Sequence, residues 1–309
     1  MMLPVGWWIM ALTGVAGCAV AAADHERLGD QAYRDRSFSK ALGEYQAAQQ
    51  TGARSRVSAK SAAAAIEAGE LGAAIDAFDQ LVRQDQTRAP EAAIGLERVA
   101  QLAERQGPNG YPTVAKAILV LRRIAPNRPL GRLALVSMAG PVEPRDAVAL
   151  IPAAIATAGS ARAVDSLLLR LAEAQRTTVA CDGAARSYRA VLRRTEDGRV
   201  RAAAREGLAD CALVLGHDAL GSQNSPEAER WFAVVLGFET ESARGWRANI
   251  GLGDARLLRG DALGAAVAYQ AVLSSVGVPD SLRAAAVQKL NSLGAAPPAA
   301  PPPPSEGNR

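Results

Sequence analysis

The stretch that decides the fold is LGDQAYRDRSFSKALGEYQAA, residues 28–48. Within it, Ala41 is followed four positions later by Tyr45, and the same step returns 33 residues on as Ala74 and Phe78. Further along the chain the step recurs as Ala184/Tyr188, Ala228/Phe232 and Ala265/Tyr269. A small residue followed by an aromatic one, repeating about every 34 residues, is typical of stacked helix pairs. Such pairs cannot bury their apolar faces alone, so neighbouring pairs stack on one another.

The composition of the 309-residue chain also favours helices. Hydrophobic residues make up 49% of it and aromatic residues only 4%, because alanine supplies much of the apolar fraction. Alanine is the best helix former, since it loses no side-chain entropy when the helix forms. We therefore expect an all-α solenoid of about six or seven antiparallel helix pairs.

The charge distribution argues against nucleic-acid binding. The net charge is +4, but basic and acidic residues are mixed throughout the chain, as in Arg34-Asp35-Arg36. A nucleic-acid-binding protein concentrates its basic residues on one face. We expect no nucleic-acid partner.

The first repeat resembles the tetratricopeptide repeat (TPR). The residues that carry the resemblance are Leu28-Gly29 in the first helix, then Ala41, Tyr45 and Ala48 in the second. The resemblance covers residues 24 to 293 and is strongest in the first two repeats and the last. It implies a right-handed superhelical solenoid that has no enzymatic activity and binds other proteins.

The resemblance also implies where a partner binds, because in this family the first helix of each pair lines a concave groove. The aligned positions are Glu26, Asp30, Tyr33 and Arg34 in the first repeat, Arg56, Ile66 and Glu67 in the second, and Arg247, Asp254 and Leu257 in the last. Their mixed charge suits an extended peptide or a helix of a partner protein.

The repeat pattern divides the chain into blocks. We expect an N-terminal TPR block at 18–125, a degenerate helical junction at 126–159, and a C-terminal TPR block with a capping helix at 160–294. The tail at 295–309 is rich in proline and alanine, which predicts disorder.

The N-terminus predicts a secretory signal. Residues 3–23 carry no charge, and within them Val15-Ala16-Gly17-Cys18 resembles the bacterial lipobox. This resemblance implies a lipoprotein signal peptide at 1–17 and a lipid on Cys18. Two alternatives stay open: cleavage after Ala21-Ala22-Ala23 as a simple secreted protein, or an uncleaved anchor.

The residue after the cysteine bears on the location of the protein. Ala19 stands there rather than aspartate, which in lipoproteins favours the inner leaflet of the outer membrane, facing the periplasm. A periplasmic or secreted protein is the alternative.

Two further cysteines lie at equal distances from a predicted turn. Cys181 and Cys211 flank Thr195-Glu196-Asp197-Gly198, so on antiparallel helices they come to the same height. An oxidising compartment would allow a disulfide between them. Two reduced, buried cysteines are the alternative.

Motifs for chemistry are missing from the sequence. It contains no Gly-x-Ser-x-Gly elbow and no phosphate-binding loop, and its two histidines, His25 and His217, form no metal-binding pair. We therefore expect no enzyme, cofactor or metal, and predict a membrane-anchored scaffold for protein–protein interactions in the bacterial envelope, serving envelope or outer-membrane assembly. The alternatives are a soluble secreted adaptor and a helical-repeat enzyme or sugar-binding protein.

Overall fold

The computed structural model describes residues 13–52, 54–178 and 181–294. These residues form fifteen α-helices and no strand. The bounds are Thr13–Arg34 (α1), Phe38–Gln50 (α2), Ser55–Glu67 (α3), Leu71–Gln84 (α4), Ala89–Arg105 (α5), Tyr111–Ile124 (α6), Arg132–Val136 (α7), Pro144–Thr157 (α8), Ala161–Thr177 (α9), Cys181–Arg194 (α10), Gly198–Gly221 (α11), Ser225–Leu236 (α12), Ala243–Leu258 (α13), Ala262–Ser274 (α14) and Asp280–Gly294 (α15). Short 3-10 turns lie at Gln86–Arg88 and Gly107–Gly110.

Consecutive helices pack against one another in pairs, which confirms the predicted all-α solenoid of helix pairs. We call the odd-numbered member of each pair, from α1 to α13, the first helix and the even-numbered member the second helix. The chain divides into two units, Met1–Leu167 and Leu168–Arg309. The finer division into blocks stays a prediction. Within it, residues 1–12 of the signal peptide and the whole tail at 295–309 lie outside the described residues.

The small and aromatic residues of the repeat form the core, as the sequence predicts. Ala41 and Ala74 are fully buried, and Tyr45 is 2% exposed. In the second unit, Phe232 and Tyr269 are fully buried. The spacing of four places each small residue and its aromatic on one face of the second helix, and that face turns towards the first helices.

Glycines on the first helices make room for the aromatic rings. A Cβ atom added to Gly29 would lie 2.5 Å from Cε1 of Tyr45, well inside van der Waals contact. Gly253 stands against Tyr269 in the same way. The Leu-Gly step of the repeat is therefore a packing requirement, since any larger residue would push the two helices apart.

Two other aromatics use glycines that the sequence pattern does not single out. Phe78 packs against Gly95 of α5, in the next helix pair. Phe232 contacts both Gly216 of α11 and Gly251 of α13. An aromatic of a second helix thus joins its own pair to the next one.

A covalent bond joins α10 to α11. Cys181 and Cys211 form a disulfide with their Cα atoms 5.2 Å apart, across 30 residues of sequence. The turn between the two helices is held by Asp197, whose carboxylate accepts hydrogen bonds from the backbone N–H groups of Arg199 and Val200. The bond therefore ties the first residue of α10 to the middle of α11, and the cap stabilises the start of α11.

Within the described part of the chain, no helix has the length and apolar character needed to cross a lipid bilayer.

Candidate partner-binding surface

Side chains of α1 and α3 form an open, charged cavity of about 420 Å³. We call it the first-helix surface. Apart from Ala23, its lining consists of two acidic and four basic residues, with a formal net charge of +2: Glu26, Asp30, Arg27, Arg34, Arg56 and Lys60. Four of these six were predicted from the sequence as groove positions, and the structure brings those four together.

Lys60 is the centre of the charge network. Its Nζ donates to Oε1 of Glu26 and to both carboxylate oxygens of Asp30, each at 2.8 Å. Arg56 donates to Oε2 of Glu26 at 2.7 Å, and the Tyr45 hydroxyl donates to Asp30 at 2.8 Å. The ring of Tyr45 therefore packs in the core, while its hydroxyl joins the charge network between α1 and α3.

The network keeps both carboxylates ionised. Burial raises the pKa of Glu26, but hydrogen bonds from Arg56 and Lys60 outweigh it and hold that pKa below its ordinary value. The same holds for Asp30. Burial raises its pKa, but the hydrogen bonds from Lys60 and Tyr45 together have the larger effect, and the pKa lies below its ordinary value. Burial and the bond to Asp30 raise the pKa of Tyr45. The surface thus presents fixed charges at neutral pH.

The protein should lose stability in acid as Glu26 and Asp30 become protonated, and the size of that loss should depend on Lys60. Because the pKa values of Glu26 and Asp30 are lowered on folding, their contribution to stability is complete above the ordinary values of 4.5 and 3.8 and is lost as the pH falls below them. We expect Lys60→Met to reduce the free energy of unfolding at neutral pH by about 1 kcal/mol, a small effect because solvent screens a partly exposed pair. Denaturant unfolding from about pH 6 to about pH 3 measures it.

The matched control is Lys116→Met. Lys116 pairs with Asp76 at 2.7 Å, but both side chains are at least half exposed. It should leave the acid dependence unchanged. If Lys60→Met and wild type lose stability in parallel on acidification, Lys60 does not hold the two carboxylates in the ionised state.

The C-terminal end of the second unit has a similar network, in which an aspartate accepts hydrogen bonds from a core tyrosine and from a lysine. Asp254 of α13 accepts hydrogen bonds from the Tyr269 hydroxyl and from Nζ of Lys289 in α15, both at 2.7 Å. On α13, Arg244 donates to Asp210 of α11 at 2.5 Å, and this bond raises the pKa of the guanidinium. In both units, therefore, a carboxylate on one first helix pairs with a cation about one repeat further along the chain.

The other predicted groove residues have different surroundings. Tyr33 does not line the cavity; its ring packs edge-to-face with Phe38, with centroids 5.2 Å apart. Ile66 is half-buried, and Glu67 pairs with Arg98 at 3.2 Å. In the second unit Arg247 and Leu257 are exposed, Leu257 by 41%.

Sequence reasoning missed Lys60, Arg244 and Lys289. The available signal was an opposite charge about one repeat away: Lys60 lies 34 residues after Glu26, and Arg244 lies 34 residues after Asp210. Such pairs can be found by looking, for each charged residue of a first helix, for an opposite charge about 34 residues later in the sequence.

The two histidines are in separate places. His25 Nδ1 lies 2.8 Å from Oε2 of Glu44, and His217 packs edge-to-face with Phe232. Among the described residues, no group of three or more histidine, cysteine or acidic side chains is arranged to hold a metal ion.

Comparison with known proteins returns structures only. No protein-family model and no curated protein matches the chain. The TPR2AB domain in the pHSP90 complex of yeast Sti1 is 16% identical, with 89% of this chain and 98% of that chain covered and a TM-score of 0.28. The TPR domain of P58(IPK) is 15% identical, with 88% and 98% covered and a TM-score of 0.23. At such TM-scores the two structures carry no argument, and the fold stands on the helices described above.

Proposed function

We propose that this chain is a non-enzymatic scaffold, held at a bacterial membrane by lipid on Cys18, that binds a segment of a partner protein on its first-helix surface. The observation that carries the binding part is the preformed cavity between α1 and α3, whose charges are already fixed by Lys60, Glu26 and Asp30. A surface whose side chains are held in place before binding loses less conformational entropy when a partner arrives.

The charges of this surface suit recognition better than catalysis. A catalytic acid or base works best with a pKa near the operating pH, which for a carboxyl group means a raised pKa. Glu26 and Asp30 have lowered pKa values and are occupied by hydrogen bonds from Lys60 and Arg56. Arg34 lines the same cavity and is exposed. Its charge helps to lower the pKa of Asp30, but none of the hydrogen bonds to Asp30 or Glu26 described above comes from it, so its guanidinium can donate to a carboxylate of the partner.

The start of the packed structure supports cleavage before Cys18 rather than after Ala23. From Ala21 onwards, where the burial of α1 side chains is described, the first buried residue is Ala22, which is 9% exposed. Cleavage before Cys18 keeps Ala22 and the turn that precedes it in the mature protein, whereas cleavage after Ala23 removes them. With Ala19 following the cysteine, we place the anchor in the inner leaflet of the outer membrane, with the helix pairs in the periplasm and a role in envelope assembly.

The anchor is tested by the mass of the mature N-terminus. We expect a diacylglyceryl cysteine at position 18, because two acyl chains give the stable anchoring that one chain does not. Cys18→Ser should move the protein out of the membrane fraction or stop its processing. The control, Cys181→Ala with Cys211→Ala, should stay lipidated. An unmodified Asp24 at the N-terminus would establish the soluble adaptor instead, and an intact Met1 the uncleaved anchor.

The binding part is tested by co-isolation from detergent-solubilised envelope. Proteins that remain with the wild type should be lost with Arg34→Glu, because the new carboxylate repels the carboxylate that Arg34 would bind. The matched control is Lys40→Glu, the same charge reversal at an exposed position on α2. Equal recovery with Arg34→Glu and with wild type would contradict binding at this surface.

A further inference from the structure

We propose that a groove on the second unit, formed by α10, α11 and α12, binds an acidic segment of a partner protein that carries an apolar anchor residue. We call it the arginine groove. Leu192, Leu208, Val234 and Phe238 form its floor, and Arg189 and Arg193 stand at its rim. It is built from α10, α11 and α12, so it is separate from the first-helix surface and does not depend on the function proposed for that surface.

The floor of the groove is suited to an apolar side chain. The cavity has a volume of about 440 Å³, and Phe238 at its end is 38% exposed. Binding sites are typically concave and mostly apolar, with a few polar groups placed around them, and this site has that composition. An apolar side chain that projects from a partner would fill this open depression.

The arginines are positioned but not neutralised. The Arg189 guanidinium lies 4.6 Å from the centre of the Trp231 ring, and that of Arg205 on α11 lies 5.8 Å from the centre of Phe238. Stacking on a ring fixes the plane of a guanidinium and leaves its N–H groups free to donate. Among the described residues, no carboxylate pairs with Arg189, Arg193 or Arg205.

The arginines of the groove differ in their pairing from Arg244, another arginine of the same unit. Arg244 contacts three carboxylates, on Glu206, Asp210 and Glu239. Helix α10, in comparison, carries four arginines and one aspartate, a formal charge of +3. An occupant that complements this groove must supply both carboxylates for the rim and an apolar group for the floor. A short acidic protein segment with a leucine or phenylalanine supplies both.

Fluorescence anisotropy tests the groove with a defined probe, a labelled peptide in which glutamates flank a central Leu-Phe pair. The full chain is used in detergent. We expect the peptide to bind the wild type, and Arg189→Glu or Arg193→Glu each to weaken binding by about tenfold or more, because each replaces a charge-assisted contact by repulsion. The control, Lys40→Glu, makes the same charge change at an exposed position on α2 in the first unit, outside the groove, and should weaken binding by less than about twofold.

The remaining outcomes overturn the proposal. Equal loss with Lys40→Glu would mean that the peptide senses only overall charge, and failure of the wild type to bind would mean that the groove has a different occupant. A second arm uses phosphatidylglycerol vesicles with the Cys18→Ser chain. Vesicle binding that depends on Arg189 and Arg193, without peptide binding, would identify a lipid surface as the occupant. Thermal melting of each variant verifies that it is folded, and co-isolation with Arg34→Glu reports separately on the first-helix surface.

Discussion

Phe232→Ala is expected to lower the free energy of unfolding by about 3–5 kcal/mol. The ring is fully buried and fills the space between Gly216 on α11 and Gly251 on α13. Alanine would leave a cavity whose walls include two glycines, so few side chains are in place to refill it. Denaturant unfolding measures the loss.

Two further variants separate this explanation from a general loss of hydrophobic surface. Phe238→Ala makes the same change at a ring that is 38% exposed and should cost about 1 kcal/mol or less. Gly251→Ala adds a single methyl group against the Phe232 ring and should cost about 1–3 kcal/mol by overpacking. If Phe232→Ala cost no more than Phe238→Ala, the aromatic residues would not be the core of the stacked pairs.

Removal of the disulfide is expected to have the next largest effect. The bond between Cys181 and Cys211 closes a loop of 30 residues, and loss of that constraint on the unfolded chain corresponds to about 3–4 kcal/mol. The variant with alanine at both positions should therefore unfold at lower denaturant concentration than the oxidised wild type. Reduced wild type should lose a similar amount, and reductant should not affect the variant.

The oxidation state itself is read by alkylation. Protein purified without reductant, then denatured and alkylated, should show no label on the peptides that contain Cys181 and Cys211. Label on both peptides would mean that the protein keeps two reduced, buried cysteines. Equal unfolding of the variant and of oxidised wild type would mean that the bond adds no stability.

Much of the fold could be predicted because its signals are local. The small-then-aromatic step fixes the face of each second helix. Glycine also favours turns, and Gly69 and Gly260, with φ of 78° and 86°, lie between the two helices of the second pair and of the last pair. Even in the degenerate junction at 126–159, the sequence Gly140-Pro141, which disfavours a helix, lies between α7 and α8. Helix existence follows from short-range periodicity, which one sequence displays directly.

The surface between α1 and α3 was harder to predict, for a geometric reason. A repeat of 33 residues, taken from Ala41 and Ala74, aligns Glu26 with Ala59. In the structure Glu26 pairs with Lys60, 34 residues away. A shift of one residue in the alignment changes the direction of a side chain by about 100° around the helix axis. An alignment that identifies the core residues correctly can therefore assign the wrong charge partner at the surface.

The arginine groove gave no sequence signal at all. Leu192 and Val234 lie 42 residues apart in sequence and meet only because α10 and α12 flank α11. Which residues of neighbouring second helices come together depends on how the pairs stack, and a repeat pattern does not specify that.

Site-specific photo-crosslinking in the native envelope tests the central claim most directly, that a partner protein binds on the first helices. A benzophenone amino acid would replace Arg27 on α1, which lines the first-helix surface, or Arg247 on α13. Lys40 on α2 and Gln270 on α14 are exposed control positions. We predict that each first-helix position forms an adduct of defined mass with another envelope protein and that the control positions form none. Adducts from the control positions alone would contradict the account, because the partner would then bind the second helices.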